Sequence, residues 1–228
     1  MVAMHSLTGI SSMATRALLA ELAQVSTAAG GLPVQLQAAG GVDVARRLRA
    51  GERFDLVLLA EDALQALAQE GRVGPVRAFA DSCVAAAVPE GAPALPLRDA
   101  DDLRVAVLAA TSIGYSTGPS GTALLALFER WGLMDTLRAR LVQAPPGVPV
   151  ASLVARGAVS LGLQQRSELL GQPGIRLLGD LPAELALTTR FGAALGHEAA
   201  DGAQALLDFI CSPATAATKR RHGMTEPA

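Results

Sequence analysis

The sequence predicts an α/β protein with a mostly parallel sheet, and three observations carry that prediction. Half of the 228 residues are apolar but only 3% are aromatic, so the core must be built from Ala, Leu and Val. Alanine-rich helices over Val/Leu strands suit an α/β architecture better than an all-β one. Short apolar runs alternate with segments of helical period at a pitch that calls for right-handed crossovers. The turns from strand into helix are repeatedly made of Ser, Thr and Gly.

Residues Val2 to Ile10 are short and mixed and are expected as a first strand. Ser11-Ser12 precede Met13 to Ala23, a helix by propensity and period, with Ser12 as its N-cap and Arg16 about one turn in. Pro33 to Ala38 alternates as a strand, and Gly40-Gly41 turns it into a helix over Val42–Ala50 with Arg46, Arg47 and Arg49 outward. Phe54 to Ala60 is the clearest buried parallel strand, followed by a helix over Glu61–Glu70. A second apolar strand, Ser82 to Val88, runs into a proline-dense boundary, after which Asp99 to Ala109 is helical.

The stretch from Ser112 to Gly121 is the centre of the chain. A short β-branched run leads into the loop Tyr115-Ser116-Thr117-Gly118-Pro119-Ser120-Gly121. Leu124, Leu127, Phe128 and Trp131 then recur at helical spacing. At such a junction free backbone N–H groups and the helix dipole favour an anion, and Ser116, Thr117 and Ser120 can donate to it. Gly118 and Gly121 let backbone approach a ligand. No Gly-Lys-Ser/Thr follows, so this is not a Walker A loop. The plainer reading is a serine-capped turn that holds only its own helix.

Farther on, Leu141 to Ala144 is a strand. Pro145-Pro146-Gly147-Val148-Pro149 is a stiff turn before a helix over Val150–Arg156. Val159 to Gln165 is a strand ending in two side-chain amides, Gln164 and Gln165. Strands over Ile175–Leu178 and Leu185–Thr189, then helices over Ala200–Ile210 and Ala214–Arg221, close the chain.

Charge and cysteine usage exclude several classes. The formal net charge is −2. The basic residues are scattered apart from Lys219-Arg220-Arg221, expected as a solvated helix end. That leaves no footprint for nucleic acid. No apolar run approaches the ~18–20 residues of a membrane span. Cys83 and Cys211 have neither CxxC nor zinc spacing and are expected as buried free thiols. No metal and no cofactor is expected. The N-terminus carries no legible export signal, so the expected location is cytoplasmic as the chain stands and periplasmic if a leader has been removed.

The order of these elements resembles the type II periplasmic-binding-protein fold, in particular the molybdate-binding proteins of ABC transporters, from Ser11 to about Arg221. Gly51 to Val57 is similar to that family's glycine-x-x-x-aspartate-apolar-apolar strand, and Ala60-Glu61-Asp62 to the turn after it. Leu153 to Leu163 is similar to its arginine-glycine block, and Gly202 to Arg221 to its terminal helices with Ser212-Pro213. The resemblance implies two lobes, each a small mostly parallel sheet flanked by helices. Residues 1–83 with 193–228 would form lobe I and 84–192 lobe II, joined by strands crossing near Cys83–Val88 and Thr188–Ala194. It implies a ligand held at the carboxyl ends of strands, in a cleft between the lobes. Ser11, Ser12, Arg16, Gly40, Gly41, Ser116, Thr117, Gly118, Ser120, Gly121, Gly147, Val148, Gln164 and Gln165 would converge there. It also implies a monomer and an ABC permease as partner.

The departures bear on the ligand. Gly40-Gly41 stands where molybdate binders carry a second serine pair, and Gln165 where they carry a tyrosine. Fewer hydroxyls and more amides suit a planar organic polycarboxylate better than a tetrahedral oxyanion. The Gly-Tyr-Ser-Thr-Gly-Pro-Ser-Gly and Gln-Ala-Pro-Pro-Gly-Val-Pro-Val blocks resemble a branch that includes aconitate isomerase. Three functions therefore stay open: a binder of a small organic anion, an isomerase of an unsaturated tricarboxylate, and a molybdate or tungstate binder. An isomerase needs a general base. Glu61, Asp62, Glu168 and Asp43 stand near strand ends, whereas His5, His197 and His222 lie outside the junctions. Tyr115 is expected to bury its ring.

Overall fold

The structure is a computed structural model and describes residues 6–227. In chain order the strands and helices begin with β1 (Leu7–Ser12), α1 (Arg16–Ala28), β2 (Val34–Ala39), α2 (Gly41–Arg49), β3 (Leu56–Ala60) and α3 (Glu61–Gln69). They continue as β4 (Arg77–Pro89), α4 (Ala100–Ala109), β5 (Ile113–Tyr115), α5 (Pro119–Arg130), α6 (Met134–Leu137), β6 (Leu141–Gln143) and α7 (Val150–Ala155). Last come β7 (Leu161–Gln165), α8 (Arg166–Leu169), β8 (Ile175–Asp180), β9 (Thr188–Leu195), α9 (Ala203–Cys211) and α10 (Ala216–Arg221). Residues 2–5 of the expected first strand, His5 included, lie outside the described residues.

The chain divides into two compact units, residues 1–81 with 190–228 and residues 82–189. In the first, β1 lies parallel to both β2 and β3, and β9 closes the sheet antiparallel to β3, giving the order β2-β1-β3-β9. Leu7, Leu19, Leu22, Phe79 and Leu206 fill one side of this sheet. Ile10, Val44, Val57, Leu59 and Leu64 fill the other. Burial on both faces explains why β3 reads as a continuous apolar run. The resemblance motif's aspartate is a staple here. Asp55 accepts from the Thr8 amide at 2.7 Å, the Thr8 hydroxyl at 2.9 Å and the Ala200 amide at 2.7 Å.

In the second unit, β5 is parallel to β6 and β7, while β4 runs antiparallel to β7 and β8. Val84, Val107, Leu124, Leu127, Phe128 and Leu163 form its main core, against which the Tyr115 ring packs. Parallel pairing thus holds among the strands joined by helical crossovers. The long strands β4 and β9 bring the antiparallel pairs.

Several expectations change. The strand expected over Leu185–Thr189 begins only at Thr188 and runs to Leu195, with Ala183–Leu185 as a 3-10 turn after Pro182. The strand expected from Ser82 starts at Arg77 instead. Lys219 is not solvated but 1% exposed. The chain after α10 turns back to pair Thr225 with Asp81, and burial pulls the Lys219 ammonium below its ordinary pKa. Arg47 is not turned fully outward. Its guanidinium lies 5.3 Å from the Phe54 ring centroid and bonds Glu52. Cys83 and Cys211 are free thiols, each half-buried rather than buried. Among the described residues no helix is long and apolar enough to cross a membrane.

Candidate anion-binding site

In the first unit the parallel register sets Ser11 opposite Ala38 and Ser12 opposite Ala39, so Ser11, Ser12, Gly40 and Gly41 stand at one end of the sheet. The hydroxyls there are turned inward. Ser11 is 1% exposed, and its Oγ donates to the Ser12 carbonyl at 3.2 Å and reaches the Gln37 carbonyl at 3.5 Å. Ser12 makes no side-chain cap. A 3-10 turn over Met13–Thr15 delays the helix to Arg16, and the Ser12 hydroxyl meets the Thr15 hydroxyl at 3.4 Å. Arg16 is exposed. Gly40 and Gly41 have no atom within 4 Å of a would-be Cβ, and Gly40 has φ −60°. Their glycine identity leaves bare backbone at the start of α2 and is not demanded by the turn.

In the second unit, Tyr115 pairs with Leu163 and with Gln143 in parallel register. The loops after β5 and β6 and the end of β7 therefore share one end of the sheet, which gathers Ser116–Gly121, Gly147, Val148, Gln164 and Gln165. α5 starts after Gly118, an N-cap without a side-chain bond. The hydroxyls do not cap this helix: Ser116 Oγ and Ser120 Oγ bond each other at 2.9 Å, with Ser120 only 3% exposed. Thr117 stands exposed beside them. Gly121 is required, since its Cβ would lie 1.9 Å from the Ser116 carbonyl oxygen. Pro145-Pro146-Gly147-Val148 is a tight turn closed from the Val148 amide to the Pro145 carbonyl at 3.0 Å, with Gly147 at φ +77°.

The two terminal amides of β7 diverge, as alternation along a strand requires. Gln165, 3% exposed, donates to the Thr189 hydroxyl at 2.6 Å, and its Oε1 is buried without a partner. Gln164, 2% exposed, accepts from the Val150 amide at 2.9 Å and donates to Glu168 Oε1 at 2.8 Å. Burial pushes the Glu168 carboxyl up to about 7. Ser167 Oγ next to it is also buried without a partner. Unsatisfied buried oxygens are uncommon enough to need a reason.

Glu168 was legible in the sequence only as an acid near a strand end. The signal that separates it from the other acids is its place in a one-turn helix directly after a wholly buried strand. Asp43 is taken up by Arg46, Asp62 is exposed, and Glu61 lies in the field of Arg190. His197 bonds the Gly71 carbonyl, and His222 sits 2.7 Å from Glu21. Among the described residues no three His, Cys, Asp or Glu side chains gather as a metal site.

A family model described as bacterial extracellular solute-binding protein matches residues 7–225. Aconitate isomerase from a Pseudomonas species is 31% identical over 217 residues, 91% of this chain and 82% of that one. The periplasmic molybdate-binding protein of Azotobacter vinelandii has a TM-score of 0.81 at 20% identity, covering 98% of this chain and 100% of that one. L-phospholactate-bound PEB3, a protein of Campylobacter jejuni, has a TM-score of 0.75 at 13% identity, covering 97% and 100%. At these identities the two solved structures speak for the fold alone.

Proposed function

We propose that this chain, which belongs to the bacterial extracellular solute-binding protein family and has the type II periplasmic-binding-protein fold, binds a small organic polycarboxylate at the ends of its strands. One observation carries the reading: the Ser116–Ser120 hydroxyl pair at the uncapped start of α5. Within the pair one hydroxyl donates to the other, which leaves the accepting hydroxyl a proton to turn toward an anion, and a twelve-residue helix places its positive end beside them. Neutral donors of this kind hold an anion without a buried countercharge.

The class of anion is read from the other residues at the strand ends of each unit. Gln164 and Gln165 are side-chain amides, and Gly40 and Gly41 leave space in place of hydroxyls. Both features suit a larger planar acid. The relative at 31% identity is named for a tricarboxylate, which supports the same choice. Molybdate or tungstate is the competing ligand, favoured by fold likeness. With the binding reading go an ABC permease as partner and a periplasmic location.

A thermal-shift panel of molybdate, tungstate, sulfate, citrate and cis- and trans-aconitate tests the reading, because a ligand that binds only the folded state raises the melting temperature. Stabilisation by the tricarboxylates and not by the oxyanions is the expected result. Stabilisation by molybdate alone would discard it.

A second reading, turnover of an unsaturated tricarboxylate, is favoured by Glu168. It is an acid held by Gln164, a residue of the candidate site, with its carboxyl near 7. A general base works best when its pKa lies close to the working pH. This reading needs no permease.

A further inference from the structure

We propose that Glu168 is the catalytic base of a carbon-acid isomerisation, moving one proton along the allylic system of an unsaturated polycarboxylate bound beside Gln164. The proposal rests on the turnover reading above and names the group that would perform it.

The geometry defines one tethered oxygen and one open oxygen. The Val150 amide can only donate, so the Gln164 atom facing it at 2.9 Å must be the carbonyl oxygen. That fixes the Gln164 NH2 toward Glu168 Oε1, at 2.8 Å. Among the described residues nothing bonds Glu168 Oε2, and it is absent from the oxygens sealed away without a partner, Ser82 Oγ, Gln165 Oε1 and Ser167 Oγ. Two of those three sealed oxygens stand within three residues of Glu168, at Gln165 and Ser167.

Among the described residues no ion pair quenches the carboxylate. On α8 itself, Arg166 is committed to Asp180 of β8 at 3.0 Å. The other charged groups on the packed elements are Arg156 at the end of α7 and Arg176 on β8, and neither bonds Glu168. β7 carries no charge. Burial alone sets the proton affinity of Glu168, and it brings the carboxyl to about 7. That makes it a stronger base than an ordinary carboxylate, and one still half ionised at neutral pH.

The step balances without a redox partner. Oε2 takes a proton from the methylene carbon that lies between a carboxylate and the double bond. The C–H electron pair spreads over the three allylic carbons and their carboxylates. The protonated Glu168, its acid proton free to exchange with solvent before delivery, then gives a proton to the former vinylic carbon, the double bond moves by one position, and the carboxylate is regenerated. The hydroxyl pair and the helix start of α5 supply neutral donors for the added negative charge.

The test uses cis- and trans-aconitate as probes in D2O, followed by proton NMR, with the wild-type chain, Glu168→Gln and Glu168→Asp. Wild type should interconvert the isomers and exchange the methylene protons, with kcat/KM rising through a limb centred at about 7. Glu168→Gln should lose both reactions by about 1,000-fold, within the usual worth of a general base. Its Kd by calorimetry should stay within about 3-fold, and Glu168→Asp should recover part of the rate. Exchange by Glu168→Gln at the wild-type rate would overturn the assignment and leave the isomerase reading standing. Binding by wild type with neither exchange nor interconversion would overturn both. If the variants fail to fold, the wild-type profile decides, since a limb centred near the ordinary carboxylate range would count against Glu168.

Discussion

The strand ends of the two units have similar sequence signatures and different chemistry. In the first unit, Ser11 spends its hydroxyl on neighbouring carbonyls, Ser12 meets Thr15, and Gly40-Gly41 presents bare backbone. In the second, Ser116 and Ser120 hold each other, two buried amides point to opposite sides, and an acid sits at about 7. A serine beside a strand end is therefore no measure of an available donor. What decides is whether backbone carbonyls lie within reach, and at the end of β1 the Ser12 carbonyl and the Gln37 carbonyl of the neighbouring β2 supply them.

The largest effect expected from this contrast is at Gly121. A Cβ there would meet the Ser116 carbonyl at 1.9 Å, so Gly121→Ala must displace the loop. We expect a stability loss of about 1–3 kcal/mol, typical of overpacking, and loss of tricarboxylate binding by calorimetry. Unchanged binding would remove the α5 start from the site.

Next in size is the stability of Glu168→Gln. Its folded pKa is raised from 4.5 to about 7, so below pH 4.5 both states are protonated and the substitution is neutral. Between those values the unfolded chain ionises while the folded one does not, and wild type loses stability as pH rises. Above about 7 the deficit is constant, at most about 3 kcal/mol at 1.36 kcal/mol per unit. Glu168→Gln should therefore melt higher than wild type at pH 8 and equal to it at pH 4. A variant less stable at pH 8 would make Glu168 a packing residue.

The smallest effect belongs to the first unit. Gly40→Ser has open space and an ordinary φ, so its stability by chemical denaturation should change by only a few tenths of a kcal/mol, in the direction of a better N-cap. A large loss there would mean that the bare backbone is structural.

Much of the fold was legible because its signals are local. Leu56–Ala60 announces itself by unbroken apolar residues, and the β7 amides by standing where the apolar run stops. Gly51 to Val57 carried the resemblance, and Asp55 acts there as a staple between β1, β3 and the Ala200 turn. The rest depends on partners distant in the chain. The first residues of β4, Arg77–Asp81, are mixed in polarity and become strand through partners far along the chain, β9 beside them in the sheet order and Thr225 bridged to Asp81. Lys219 is buried on the helix just before that tail. Ser12 looks like a cap, but the 3-10 turn behind it moves the helix start by a turn. The raised proton affinity of Glu168 is invisible in sequence because burial is a property of the assembled unit.

The path of the chain sets an order of synthesis. Residues 82–189 form one unbroken unit, whereas the other is split around it. β3 obtains its partner β9, Leu56 against Leu195, only after the whole inserted unit has been made. On a ribosome that delivers about 5–20 residues per second, β3 waits roughly 7–28 seconds with one edge open. The inserted unit meets no such delay. A nascent chain released before β9 emerges would hold the Gln164–Glu168 contact and lack a complete first sheet, so truncation at that point should leave an aggregation-prone edge on β3.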